Sequence, residues 1–396
     1  MHRSRRTRLL LAMLLALLAL PALAAPHIIV DLQSGKVISR QQEFDRWYPA
    51  SLTKLMTVYT TFREIKGGKL SLLSPVKVSA NARANPPSKM GFDEGTILNI
   101  DTAIKILMVK SANDIATSLA ESIGGSEPAF VQMMNANAAR LGMRDTHFVN
   151  PHGLHDPAQY SSARDLAVLA LAIRKEFAAY AGYFKIPAIQ FGNKLIRNHN
   201  PLLQRFDGTT GMKTGFVCAS GLNIVATVKR QGRELVAVVL GGPTGRERNV
   251  RAAKLLTESF AKSMFFIVSK VQTLQPIGKV NRTPIDMREE VCSKASKVTE
   301  SGDDEAMVAN VFGIAQPAEP TLEELEAKYL RPKGNDTRSI AISLGNASGP
   351  DPYQLRPPAN AQGLAAFSAN DSAAGQAPAA FAVDSSIPVP QQRPAN

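Results

Sequence analysis

A chain of 396 residues, 44% of them hydrophobic, has room for one large domain or two ordinary ones with tails, and enough apolar residues for a sizeable core. Its formal charge of +13 at pH 7 suits an anionic surface or an acidic ligand. No basic patch interleaved with aromatic residues points to nucleic acid. Two cysteines, Cys218 and Cys292, are too few for a disulfide-built scaffold; a bridge between them stays open, and two unpaired thiols are the default expectation.

Residues 1–24 read as a secretory signal. Arg3, Arg5, Arg6 and Arg8 precede an apolar run too short to span a bilayer comfortably, and Ala22-Leu23-Ala24 is a small-x-small cleavage site. Without this segment the net charge is about +9. Exported, in the periplasm or cell envelope, the protein would meet wall polymer, lipid headgroups or acidic peptides.

Residues 27–31 and 34–38 pattern as a β-hairpin. Next comes Tyr48-Pro49-Ala50-Ser51-Leu52-Thr53-Lys54, where Pro49 suits a helix start near Ala50. The helical period then puts the Ser51 hydroxyl and the Lys54 amine on one face. A buried lysine can shed its proton by desolvation, and a neutral amine beside a hydroxyl is a general base. By itself this Ser-x-x-Lys is equally a surface lysine one turn past a capping serine.

Gly67-Gly68 ends that helix, and 75–100 is mixed strand and loop with Pro86-Pro87 and Gly91 as breakers. Helices are expected over 102–110, capped by Asp101, and over 113–123, 130–141 and 163–173, the last capped by Ser162. Segments 213–216, 222–229 and 235–240 read as strands, the last two joined by a hairpin turn at Gln231-Gly232. A helix over 250–266 closes a domain spanning 25–268. The expected fold is α/β in the broad α+β sense: an antiparallel sheet flanked by helices, plus a helical subdomain. Residues 269–315 form a poorly defined extension. Residues 316–396, rich in Pro, Ala, Ser and Gln, read as a disordered tail, with 321–329 as one isolated helical stretch.

Two further motifs join Ser51 and Lys54. Ser111-Ala112-Asn113 falls at a helix-to-helix junction, and Lys213-Thr214-Gly215 opens a strand. Acyl transfer needs a nucleophile, a base, an oxyanion hole and a charged grip on the substrate. Ser51 and Lys54 supply the first two. Ser111 can pass a proton to a leaving amine, and Asn113 can bind a substrate amide. Lys213 and Thr214 can hold a carboxylate, and Gly215 lets substrate backbone lie close to the strand.

In this order the three motifs resemble those of penicillin-binding proteins and class A β-lactamases. Over about 26–265 the chain resembles the low-molecular-mass penicillin-binding proteins of the D-alanyl-D-alanine carboxypeptidase family. Phe148-Val149-Asn150-Pro151-His152-Gly153-Leu154, Tyr160-Ser161-Ser162-Ala163-Arg164-Asp165-Leu166-Ala167 and Ala219-Ser220-Gly221-Leu222-Asn223 carry the likeness further. The resemblance implies a β-lactamase/DD-peptidase-like fold and catalytic Ser51, Lys54 and Ser111. It implies substrate binding by Asn113, Lys213, Thr214 and Gly215, an oxyanion hole from the N–H groups of Ser51 and Phe216, and a carboxylate-binding arginine at Arg248, with Arg246 and Arg251 close by in sequence. The partners it implies are peptidoglycan stem peptides and β-lactam antibiotics, and the activity is removal of the terminal D-Ala. The β-rich second domain and amphipathic C-terminal helix of better-known relatives are not legible here. Membrane association is therefore left open, and a soluble periplasmic enzyme is the simpler expectation.

Three other readings use the same residues. A D,D-endopeptidase would apply the site to cross-linked peptides. A class A-like β-lactamase needs a glutamate to activate water, but Glu121, Glu127 and Glu176 lie outside any Glu-x-x-x-Asn loop. An inactive wall-binding protein would be expected to have lost a motif. His147, His152 and His155 share one loop without metal-ligand spacing, so neither metal nor cofactor is expected. Trp47 reads as a packing residue near the nucleophile, and Met133-Met134 as core filler.

Overall fold

The computed structural model describes residues 25–263, 267–293, 320–334, 338–352 and 354. The signal-like segment 1–24 and most of 294–396 lie outside the described residues.

Strands β1 (His27–Asp31) and β2 (Val37–Gln41) form the expected hairpin. A 310 turn, Ala50–Thr53, leads into α1 (Lys54–Lys66). A short pair, β3 (Pro75–Lys77) and β4 (Ile97–Asn99), brackets α2 (Ala80–Ala84). The helical subdomain continues with α3 (Ile100–Val109), α4 (Asn113–Gly124), α5 (Glu127–Arg140) and α6 (Ala163–Glu176). The cap of α3 is Asn99, whose side chain accepts from Thr102 N–H, and not Asp101; Asp101 instead accepts a hydrogen bond from the Tyr183 hydroxyl at 2.6 Å. Ser162 caps α6 as expected, through Asp165 N–H.

A small hairpin, β5 (Ala188–Phe191) and β6 (Lys194–Arg197), precedes α7 (Leu202–Arg205) and three long strands: β7 (Thr209–Val217), β8 (Gly221–Arg230) and β9 (Arg233–Gly242). The five-stranded sheet runs β2-β1-β9-β8-β7, antiparallel throughout, with β7 at one edge. Alternation of period two sorts its residues into two cores. Ile29, Ile224, Ala226, Leu235, Ala237 and Val239 pack with Val250 and Leu256 of α8 (Gly245–Ala261). Ile28, Val30, Val225, Val236, Val238 and Leu240 join the larger core shared with the helical subdomain. Because both faces are buried, the strands read as continuous apolar runs.

The C-terminal extension is a strap fastened to the domain. Val37 N–H donates to Ser269 O, and Val271 N–H to Gly35 O, at 2.9 and 3.0 Å. Buried Arg164 donates to Val271 O and Gln272 O, and Asn281 N–H meets Asp45 Oδ1. The strap ends in α9 (Arg288–Cys292), where Cys292 forms a disulfide with Cys218, immediately past β7. The expectation of two free thiols is thereby corrected. A separation of 74 residues hides the pairing, since spacing says nothing about which loops return to one another.

Within 316–396, two described segments pack on the domain. Helix α10 (Leu322–Tyr329) is not isolated: Glu326 pairs with Arg205 and Arg246, while Leu322, Leu325 and Tyr329 lie against the α8-side core. Strand β10 (Ile340–Ile342) adds parallel to β5.

Candidate active site

Ser51 sits in the 310 turn that the expected α-helix start proves to be. Three residues per turn eclipse positions i and i+3, so Lys54 stacks directly under Ser51. Lys54 is fully buried, and its Nζ lies 3.0 Å from Ser51 Oγ, 2.8 Å from Asn113 Oδ1 and 2.6 Å from His152 O. A neutral amine has two N–H donors and one lone pair. In the structure Nζ donates to all three oxygens; loss of a proton would leave two donors for the carbonyl oxygens and the lone pair for the serine hydroxyl.

The turn is held from three sides. Ala50 adopts φ +48°, in the left-handed region that costs a residue with a Cβ. Asn223 Nδ2 donates to Tyr48 O at 3.0 Å and Pro49 O at 3.4 Å, while its Oδ1 accepts from Gly241 N–H. Trp47 Nε1 donates to Ser220 O at 2.8 Å, so the tryptophan packs and anchors at once. Below, Gly153 has φ +88°, and a Cβ there would fall 1.9 Å from Ala50 O. Across, a Cβ on Gly215 would fall 2.9 Å from Pro49 O and 3.1 Å from Ser51 N. Gly215 is thus required for β7 to seat against the Ser51 turn, a reason separate from the room for substrate backbone expected of it. Phe216 is the next residue of β7.

Asn113 opens α4. Its N–H donates to Ser88 O and its Nδ2 to Pro86 O, while the Asp114 carboxylate accepts from Met90 and Gly91 N–H. These bonds fix loop 86–91 beside the cleft. Ser111, two residues earlier, has φ +62°, and its buried Oγ has no hydrogen-bond partner among the described residues. A strained residue with an unspent hydroxyl at a helix junction is equipped to take a ligand.

Lys213 is buried, and its Nζ donates to Thr214 O at 2.9 Å. Desolvation first, and the Arg248 charge second, bring its ammonium down to about 7. Thr214 Oγ1 donates to His199 O at 3.4 Å. Arg248 is buried, held by Asn249 Oδ1, and lowered by desolvation to about 10. The neighbouring arginines are engaged elsewhere, Arg246 with Glu326 and Arg251 with Ala25 O and His27. The structure therefore brings Ser51, Lys54 and Asn113 into hydrogen-bond contact, seats Gly215 against the Ser51 turn, and places Arg248 close enough to Lys213 for its charge to act there.

Three contributors carry little or no signal in the sequence. Asn223 stands there only as part of a matching stretch, and its contact with Tyr48 spans 175 positions. His152 invites a reading as a metal ligand, whereas its carbonyl binds Lys54. Burial, then the Lys54 charge, hold its ring at about 3, and Nδ1 accepts from Leu154 N–H, which leaves the proton on Nε2 facing Glu127 at 3.7 Å. His199 belongs to no motif at all. The three glutamates considered as water activators are committed away from Ser51: Glu121 to Ser79 and Asn81, Glu127 to His152, Glu176 to Tyr59 and Arg140. Among the described residues no cluster of three His, Cys, Asp or Glu side chains has metal-binding geometry.

A family model described as D-alanyl-D-alanine carboxypeptidase matches residues 19–244. The chain is 35% identical over 243 residues to D-alanyl-D-alanine carboxypeptidase DacA of Haemophilus influenzae, covering 60% of this chain and 62% of that protein. To DacA of Escherichia coli K12 it is 34% identical over 244 residues, 60% of each chain. It therefore spans less than two thirds of these curated relatives. Among solved structures, penicillin binding protein 5 from Haemophilus influenzae superposes with a TM-score of 0.58 at 34% identity, over 61% of this chain and 72% of that one. Penicillin binding protein 6B from Escherichia coli gives 0.57 at 34%, over 60% and 77%.

Proposed function

The chain belongs to the D-alanyl-D-alanine carboxypeptidase family, and on that premise we propose that it is a serine carboxypeptidase removing the terminal D-Ala from peptidoglycan stem peptides. The observation that carries this reading is Lys54 Nζ, 3.0 Å from Ser51 Oγ and bonded also to two carbonyl oxygens. In the proposed reaction Lys54 takes the Ser51 proton as the oxygen attacks the penultimate D-Ala carbonyl. The N–H groups of Ser51 and Phe216 stabilise the oxyanion. Lys213, Thr214 and Arg248 hold the terminal carboxylate, and Asn113 orients the peptide amide. The Ser111 hydroxyl passes a proton to the departing amine, D-alanine leaves, and water hydrolyses the ester. No cofactor takes part.

β-Lactams would acylate the same serine, since their strained amide stands in for the scissile bond and their carboxylate for the terminal one. The relatives named penicillin binding proteins support this extension. The pattern of residues 1–24 supports export to the periplasm or cell envelope, where the wall substrate is found. No helix among the described residues is long and apolar enough to cross a membrane.

The test is D-alanine release from a stem pentapeptide. The wild type should release it and Ser51→Ala should not; equal release by both would remove the proposal.

A further inference from the structure

The loop 198–200 is built to hold one side chain still. Asn198 Nδ2 donates to Ile186 O at 2.8 Å and its N–H to Pro187 O at 2.8 Å, while Asn200 Nδ2 donates to Gly211 O at 3.3 Å. Between them, His199 N–H donates to Val109 O at the end of α3, and its carbonyl accepts from Thr214 Oγ1 of β7. The residue thus bridges the helical subdomain and the sheet, bonded two positions before Ser111 on one side and one position after Lys213 on the other. Part of the residue is open to solvent, and neither ring nitrogen has a hydrogen-bond partner among the described residues.

The titratable groups around this ring are all bases: Lys213 from β7, Lys110 just past α3, Lys54 from α1 and Arg248 from α8. Lys110 Nζ has no hydrogen bond or ion pair among the described residues. Basic groups converging without an acid favour an incoming anion. An unbonded imidazole facing that space can donate to it.

We propose that His199 is a direct ligand of the substrate's carboxylate, closing the carboxylate site opposite Lys213 and Arg248, with Lys110 contributing charge at its rim. The inference rests on the reading of the cleft as a peptidase site. It adds a consequence that a fixed cation would not give. In the free protein, desolvation by the cleft walls and then the surrounding cations hold the imidazole at about 3, so it stays neutral. A bound carboxylate favours the imidazolium, and binding between the free midpoint of about 3 and the raised one then takes up a proton.

The experiment uses the whole chain with histidine-labelled rings followed by nuclear magnetic resonance, the His199 signal being the one lost in His199→Gln. N-acetyl-D-alanine, which does not react, is the probe, and N-acetyl-D-alaninamide is its carboxylate-free control. The His199 titration midpoint should rise by about one pH unit or more with the acid and stay in place with the amide. Equal midpoints with the two probes would overturn the inference, whether or not the protein proves catalytic. In parallel, His199→Phe should lose at least about tenfold of the preference for benzylpenicillin over its methyl ester in acylation rate, the size of one hydrogen bond to a charged group. An unchanged acid-to-ester ratio in a folded His199→Phe protein would count against it. Absent acylation in the wild type would fall on the Ser51 reading, and the probe titration would still decide the role of His199.

Discussion

Asn223 Nδ2 donates to Tyr48 O at 3.0 Å, so strand β8 holds the turn that carries Ser51. The same side chain accepts from Gly241 N–H and ties β9 to that point. Replacing Asn223 by Ala leaves the buried carbonyl of Tyr48 and the Gly241 N–H unpaired, costing about 2–4 kcal/mol of stability. Misplacement of Ser51 should slow penicillin acylation by about tenfold to a hundredfold. Denaturant unfolding and acylation kinetics on the same variant check both figures. An effect on stability alone would show that the bond does not position the serine.

Lys213 sets a limb of the pH dependence. In the free protein its ammonium has a pKa of about 7, and a carboxylate ligand raises it. Affinity for the terminal carboxylate is then fully developed below 7 and falls as pH climbs from 7 toward the bound value. The KM of D-alanine release should rise with pH across that window while kcat changes less. Lys213→Gln should raise KM at neutral pH and flatten this limb, with unfolding little affected. A KM in the wild type that is flat from about pH 6 to 9 would contradict the assignment.

The Cys218–Cys292 bridge closes a 74-residue separation. A double Cys→Ser variant should lose about 2–4 kcal/mol, read from the urea midpoint at constant slope. Because the bridge anchors the strap beside the end of β7, acylation by penicillin should slow as well. Identical midpoints for the variant and the oxidised wild type would show that the bridge is dispensable.

Gly153→Ala should be among the most damaging single substitutions. The added methyl would meet Ala50 O at 1.9 Å, and φ +88° disfavours any side chain. A loss of about 3 kcal/mol or more is expected, with the residual folded protein poorly acylated. Wild-type thermal stability in this variant would show that the loop under Ser51 is free to move.

Elements with strong periodicity are legible in the sequence itself. The paired strands β8 and β9, the capped α6 and the helices around Asn113 sit where alternation and capping residues put them. Ser51, Lys54, Ser111, Asn113 and Lys213 are legible through motif order. Local rules fail where the deciding partner is distant. Asn99, not Asp101, caps α3 because Asp101 is drawn to Tyr183, 82 positions on. The disulfide, the strap and helix α10 depend on chain segments returning across the domain, which no window of sequence contains. Asn223 and His199 give no such signal because each acts through a contact with no spacing rule. Gly215 is marked by its motif, but its seat against the Ser51 turn is not, because that turn is more than 150 positions away.

Ser51, activated by Lys54, is the residue on which the acyl-enzyme should form. Intact-protein mass spectrometry after benzylpenicillin, with the modified peptide mapped, tests this most directly. One penicilloyl group per chain is expected, on Ser51, and none in Ser51→Ala. An adduct mapped to any other residue, or undiminished labelling of Ser51→Ala, would contradict the mechanism.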